Sequence, residues 1–134
     1  MALSFPDRRL VVLALNGSRD PRWQLPFSEL ISELQACLGA DAVRIAYMEF
    51  ISPTLEEVAQ EAARDSKREL LVLPFFLAAG AHLATDIPAQ VFEASRRFPR
   101  LQIRLAPPIG EHPLVRALFR EISCQYARAQ WQAP

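Results

Sequence analysis

The run LVVLAL at residues 10–15, with the NGSRDPR that follows at 16–22, decides how this chain folds. Unbroken apolar residues of this kind suit a strand buried on both faces, and they end at once in a polar turn. Asp20-Pro21 is then a helix-start signal, because Asp can cap the first amides and Pro tolerates the first helical position. Phe27, Leu30, Ile31 and Leu34 recur at helical spacing, and Gly39 is a stop. One strand, one turn and one helix are therefore legible within thirty residues.

The same unit recurs along the chain. ELLVLPF at 69–75 reads as a second strand buried on both faces, whereas AVRIAYM at 42–48 and LQIRL at 101–105 are more mixed and suit strands nearer the edges. Pro53-Thr54-Leu55-Glu56-Glu57 opens a helix with an inner face of Leu55, Val58, Ala59 and Ala62. Asp86-Ile87-Pro88 begins or restarts a third, with Val91, Phe92 and Ser95 on one stripe, and Leu114, Val115, Leu118, Phe119 and Ile122 mark a fourth. The order βαβαβαβα predicts an α/β fold, a four-stranded parallel sheet with helices on both faces. Its 134 residues fit one domain.

Composition narrows the function classes. Hydrophobic residues make up 51% and charged residues 22%, which is globular rather than disordered. Fifteen basic residues balance fifteen acidic ones, so global charge gives no reason to expect nucleic acid or an anionic membrane as a partner. MALSFPDRRL has no long apolar region ahead of its charges, so no signal peptide is expected. The uncharged run from Leu70 to Thr85 is too short, and too broken by Pro74 and Gly80, to span a membrane. Cys37 and Cys124 lie far apart without metal-type spacing and read as reduced structural thiols, which suits a cytoplasmic protein.

In open parallel sheets ligands bind beyond the carboxyl ends of the strands, so the chemistry is sought there. Asn16-Gly17-Ser18 either cradles an anion with backbone amides or is a plain strand–helix turn; no nucleotide-binding fingerprint is present. Glu49, between Met48 and Phe50, is either a solvated cap or a candidate base and metal ligand. His82 lies in the apolar stretch FFLAAGAHLATDIP and is either a hydrogen-bonded structural residue or a metal ligand and proton carrier. That stretch is either core or an apolar wall for a flat ligand. His112, before Pro113, fits a cap, and Arg19 and Arg22 either bind ligand carboxylates or are simply solvated.

Four stretches together carry a family pattern: VVLALNGSRDPR (11–22), YMEFISPTLEEV (47–58), LVLPFFLAAGAHLATDIP (71–88) and APPIGEHPLV (106–115). In this order and spacing the chain resembles the small class II chelatases of the sirohydrochlorin cobaltochelatase (CbiX) group, relatives of the sirohydrochlorin ferrochelatases. The resemblance implies a single flavodoxin-like lobe of the chelatase fold, one domain over 1–134 with a core of about 10–122. Long forms of the family hold two such lobes and short forms pair as homodimers. The implied reaction is ATP-independent insertion of a divalent metal into an acidic tetrapyrrole of the sirohydrochlorin type, on the route to cobalamin and related products. Cobalt is the first expectation, nickel or iron the others; the metal is a substrate, and no nucleotide cofactor is implied.

The resemblance also implies roles. His82 matches the histidine that binds the incoming metal and helps remove pyrrole protons, and Glu49 matches a carboxylate that shares the metal or accepts a proton. Asn16, Gly17, Ser18 and Arg19, with Phe76 and Gly80, fall where the macrocycle would be held. There is one departure: the family turn reads HGSRDPR, and its histidine falls on Asn16. A neutral amide is a poor ligand for cobalt or nickel beside imidazole and is no base near neutral pH, although it can still hydrogen-bond. A chelatase homologue that only binds or carries a tetrapyrrole or metal is therefore the alternative.

Overall fold

The computed structural model describes residues 8–78 and 80–129, the side chains of residues 81–83 excepted. Four strands, β1 (Arg9–Leu15), β2 (Val43–Tyr47), β3 (Glu69–Pro74) and β4 (Gln102–Leu105), alternate with four helices, α1 (Leu25–Leu38), α2 (Leu55–Arg64), α3 (Ala81–Arg97) and α4 (Pro113–Arg128). The strands form one parallel sheet in the order β2-β1-β3-β4. The two apolar runs, β1 and β3, take the centre and the mixed runs take the edges, as their patterns require.

Each face of the sheet has its own core. On one face Leu10, Val12, Ala14, Leu70 and Val72 pack against Leu55, Val58, Ala59 and Ala62 of α2 and against Ala94 of α3. On the other, Val11 and Leu13 pack against Leu30, Ile31, Leu34 and Leu38 of α1. Leu13, Leu55 and Leu70 are fully buried, each contributing about 1.5–3 kcal/mol of transfer free energy. The start of α2 is fixed locally by a capping box: Thr54 Oγ1 accepts from the Glu57 amide at 3.2 Å, and the Glu57 carboxylate accepts from the Thr54 amide at 2.9 Å.

Four sequence expectations need correction. Asp20-Pro21 opens a short 3-10 turn, Pro21–Gln24, and the α-helix proper begins at Leu25. The third helix begins at Ala81, not near Asp86, and Pro88 lies inside it. Pro88 sits in the second turn, so only one amide bond, toward Ala84, is lost, and the rest of a long helix carries it. Its inner stripe is Ile87, Val91 and Ala94, while Phe92 is 66% exposed. Finally, β3 is closed on one face only: Leu71, Leu73 and Phe75 stay half-open because α4 does not lie over them.

Candidate functional site

The strand order places a topological reversal between β1 and β3. The chain leaves β1 toward β2 on one side and continues through β3 to β4 on the other, and in open parallel sheets ligands bind beyond the carboxyl ends of the strands at such a reversal. Asn16-Gly17-Ser18 follows β1 on one side of it, and the segment from Phe75 into α3 follows β3 on the other.

On the β1 side two tips are stitched together. The Met48 amide donates to Leu15 O at 2.8 Å and the Glu49 amide to Asn16 O at 2.9 Å, extending the ladder past the strands and setting Glu49 beside Asn16. Gly17 makes this possible. Its φ is +97°, and a Cβ there would fall within 3.0 Å of the Glu49 carbonyl oxygen. Only glycine allows both the left-handed backbone and the close approach. Asn16 and Glu49 are both exposed, so Glu49 is not enclosed by its apolar sequence neighbours in the single chain.

The next residues are partly committed to local bonds. Ser18 Oγ accepts from the Asp20 amide at 3.1 Å, which is the plain turn role. Asp20 accepts from the Arg22 amide at 3.0 Å and holds the Arg22 guanidinium at 2.7 Å. The side-chain bond from Arg22 lowers the Asp20 pKa, and the carboxylate raises that of Arg22 in return. Arg22 therefore has its planar donors on its own chain. Arg19 instead lies over the Phe50 ring, 5.3 Å from its centroid, spanning the first two tips.

Phe50, which the sequence places at the second strand tip beside Glu49, takes no role there from sequence alone. It combines a φ of +69° with 62% exposure, and such a backbone on a bulky side chain stores on the order of 1–3 kcal/mol. Near the end of β2, Tyr47 packs with Trp23, their ring centroids 6.3 Å apart. Burial raises the Tyr47 pKa above its ordinary 10.0. A Phe after a strand-end carboxylate was the only signal available for this patch, and it carries no periodicity.

The β3 and β4 tips form the second stitched pair. The Gly110 amide donates to Phe76 O at 2.9 Å, and a Cβ on Gly110 would fall within 3.0 Å of Leu77 O. Phe76 is thereby held buried. It lines an apolar cavity of about 330 Å³ with Ile87, Pro88, Leu105 and Pro107. Gly80 is exposed at the N-cap of α3, and its carbonyl accepts from the Ala84 amide at 2.9 Å. His82 is the second residue of that helix, so its backbone follows the β3 tip; its side chain lies outside the described residues. His112 is the cap expected, its Nδ1 accepting from the Leu114 amide at 3.1 Å. Among the described residues no three His, Cys, Asp or Glu side chains converge as a metal site.

The CbiX family profile matches residues 10–126, a span that holds all four strands but for Arg9 of β1, and both stitched pairs of tips. The chain belongs to the CbiX family. Among solved structures, the CbiX protein of Marinobacter aquaeolei VT8 is 31% identical and superposes with a TM-score of 0.77 over 89% of this chain and 94% of that one. A cobalt complex of the sirohydrochlorin chelatase SirB from Bacillus subtilis subspecies spizizenii shares the fold, with a TM-score of 0.72 at 24% identity, over 87% of this chain and 50% of that one. Among curated relatives, the sirohydrochlorin cobaltochelatase of Sulfurisphaera tokodaii is 29% identical over 83% of this chain and 88% of its own length. The chloroplastic sirohydrochlorin ferrochelatase of Arabidopsis thaliana is 27% identical over 78% of this chain. The chain spans about half the length of the Arabidopsis relative (47%) and of the Bacillus subtilis ferrochelatase (49%). Among the described residues no helix is long and apolar enough to cross a membrane.

Proposed function

We propose that this protein is a chelatase that inserts a divalent metal into sirohydrochlorin, working as a homodimer of single lobes. The observation that carries the proposal is the family match over residues 10–126, on a chain whose strand order reverses between β1 and β3. Relatives named as cobalto- and ferrochelatases act on the same macrocycle, and the SirB structures hold cobalt or Fe³⁺. Cobalt is the first metal proposed for this chain, with iron or nickel as competitors.

In this reaction the metal enters the ring as two pyrrole N–H bonds break, and both protons must leave the macrocycle. Glu49, set beside Asn16 by the Gly17 close approach, accepts one pyrrole proton; His82 holds the incoming metal through its unprotonated ring nitrogen and takes the other proton on that nitrogen once the metal has passed to the macrocycle. The apolar cavity by Phe76 supports one face of the flat ligand. Arg19, held over Phe50 at the rim, meets a peripheral carboxylate, and the Asn16 amide orients water or another carboxylate.

The test is spectroscopic. Purified protein is mixed with sirohydrochlorin and Co²⁺, and the macrocycle absorption change is followed against the uncatalysed rate. Insertion faster than background supports the proposal. A protein that binds the macrocycle yet never exceeds background refutes it and leaves a carrier.

A further inference from the structure

A second concave surface lies at the opposite end of the sheet from the strand tips. The connection from α2 to β3 runs through Asp65-Ser66-Lys67-Arg68, and that from α3 to β4 through Phe98-Pro99-Arg100-Leu101. The two lie side by side, because the Gln102 amide donates to Arg68 O at 2.8 Å. Each is pinned to the helix it leaves: the Lys67 amide donates to Ala62 O at 3.0 Å and the Phe98 amide to Ala94 O at 2.9 Å. Leu101, buried in the core, anchors the second connection. The six residues of β3, at about 3.3 Å each, put this end roughly 20 Å from the tips.

The two connections enclose a cavity of about 320 Å³ lined by Lys67, Arg68, Arg97 and Arg100, with no carboxylate among its described lining residues. In a chain whose fifteen basic residues match fifteen acidic ones, four cations around one small hollow make a local positive field. Two of the guanidinium groups are held by the fold. Arg68 Nη1 donates to Lys67 O at 3.2 Å, and Arg97 Nη1 donates to Glu56 in the first turn of α2. Arg100 has no side-chain partner among the described residues. Ser66, at φ +61°, adds a hydroxyl to the lining.

We propose that this hollow binds a small anion bearing two or more phosphate or carboxylate groups. The planar fork of arginine pairs with either kind of oxyanion, and three arginines and a lysine supply more donors than a single anionic group can accept. The volume sits at the small end of the roughly 300–1,000 Å³ of ligand pockets, which suits a short polyphosphate or a tricarboxylate. A nucleic acid would need a stripe of cations along one face. Here the neighbouring charges cancel instead: Arg96 is paired with Glu93 at 2.9 Å, and Glu61 and Asp65 line the adjoining cavity with Lys67. The site lies away from the proposed insertion chemistry and does not depend on the chelatase reading.

The test is isothermal titration calorimetry on the full chain at low salt, with tripolyphosphate and citrate as separate probes. At least one probe should bind with a Kd below about 1 mM. Arg68→Ala and Arg100→Ala should each weaken that binding by about 10-fold or more, the loss expected for a hydrogen bond to a charged group. Arg19→Ala, at the strand tips, should leave it unchanged. Arg68 and Arg100 are exposed, so far-UV circular dichroism of both variants should match the wild type. Binding of tripolyphosphate alone assigns a phosphate ligand and binding of citrate alone a carboxylate; either supports the site. Unchanged affinity in both pocket variants overturns the proposal, and weakening in Arg19→Ala alone places the anion at the strand tips instead. No binding of either probe at about 1 mM also overturns it. So does an oligonucleotide that binds when neither small anion does.

Discussion

Gly17→Ala should be the most damaging glycine replacement in the chain, because it combines two penalties that other glycines carry singly. The backbone penalty comes from φ +97°, which for a residue with a Cβ costs on the order of 1–3 kcal/mol. The contact penalty comes from the Glu49 carbonyl, which must retreat from the new Cβ. Overpacking of this kind costs about 1–3 kcal/mol, and loosening the Glu49 N–H to Asn16 O bond adds about 0.5–1.5 kcal/mol. Together these reach about 2.5–7.5 kcal/mol, a large share of the 5–15 kcal/mol that usually stabilises a domain. Gly39→Ala isolates the backbone part, since its φ is +115° and the nearest atom is Ala42 Cβ at 3.9 Å. Gly110→Ala isolates the contact part, meeting Leu77. Each should cost about 1–3 kcal/mol, whereas Gly80→Ala, with nothing within 4 Å, should stay within about 1 kcal/mol. Urea unfolding followed by circular dichroism measures all four. If Gly17→Ala lies within about 0.5 kcal/mol of Gly39→Ala, a typical limit for additive behaviour, the two tips are not held together as described.

Other outcomes follow from the same geometry. Thr54→Ala should lower unfolding free energy by about 1 kcal/mol by removing half of the capping box, and Thr54→Ser should restore most of it, again read from urea midpoints. Because burial raises the folded-state pKa of Tyr47, its protonated form favours the fold. That contribution is complete below about pH 10 and is lost as pH rises through the higher folded value; ultraviolet titration of wild type minus Tyr47→Phe should show the late midpoint. Asn16→His should raise the metal-insertion rate by at least about 10-fold, the lower end of the effect of changes at metal sites; no gain would separate this turn from the metal path.

The fold was open to reading because its signals are local and redundant. LVVLAL and ELLVLPF are apolar enough to mark central strands, and Thr54 with Glu57 writes the start of α2 in three residues. The start of α3 was misread because Pro88 resembles a helix opening, whereas tertiary packing of Ile87 and Ala94 holds the helix through it. The open side of α4 was not legible at all, since an apolar stripe has the same pattern whether it meets its own sheet or another chain. At the site, Gly17 was visible as a tight turn, but its approach to Glu49 joins residues far apart in sequence. Phe50 and Gly110 were legible as strand-tip residues but not in their roles, which lie in φ and in contacts between tips, not in spacing.

In the proposed chelatase, the tips of β1 and β3 form one site. Initial rates of Co²⁺ insertion into sirohydrochlorin, compared for wild type, Glu49→Gln, His82→Ala and Glu61→Gln, test it directly. Glu61 lines a separate cavity with Asp41, Asp65 and Lys67, away from the strand tips. Glu49→Gln and His82→Ala should each lose at least about 10–100-fold, the range for changes at metal sites, while Glu61→Gln keeps the wild-type rate. Wild-type rates in both tip variants would contradict it.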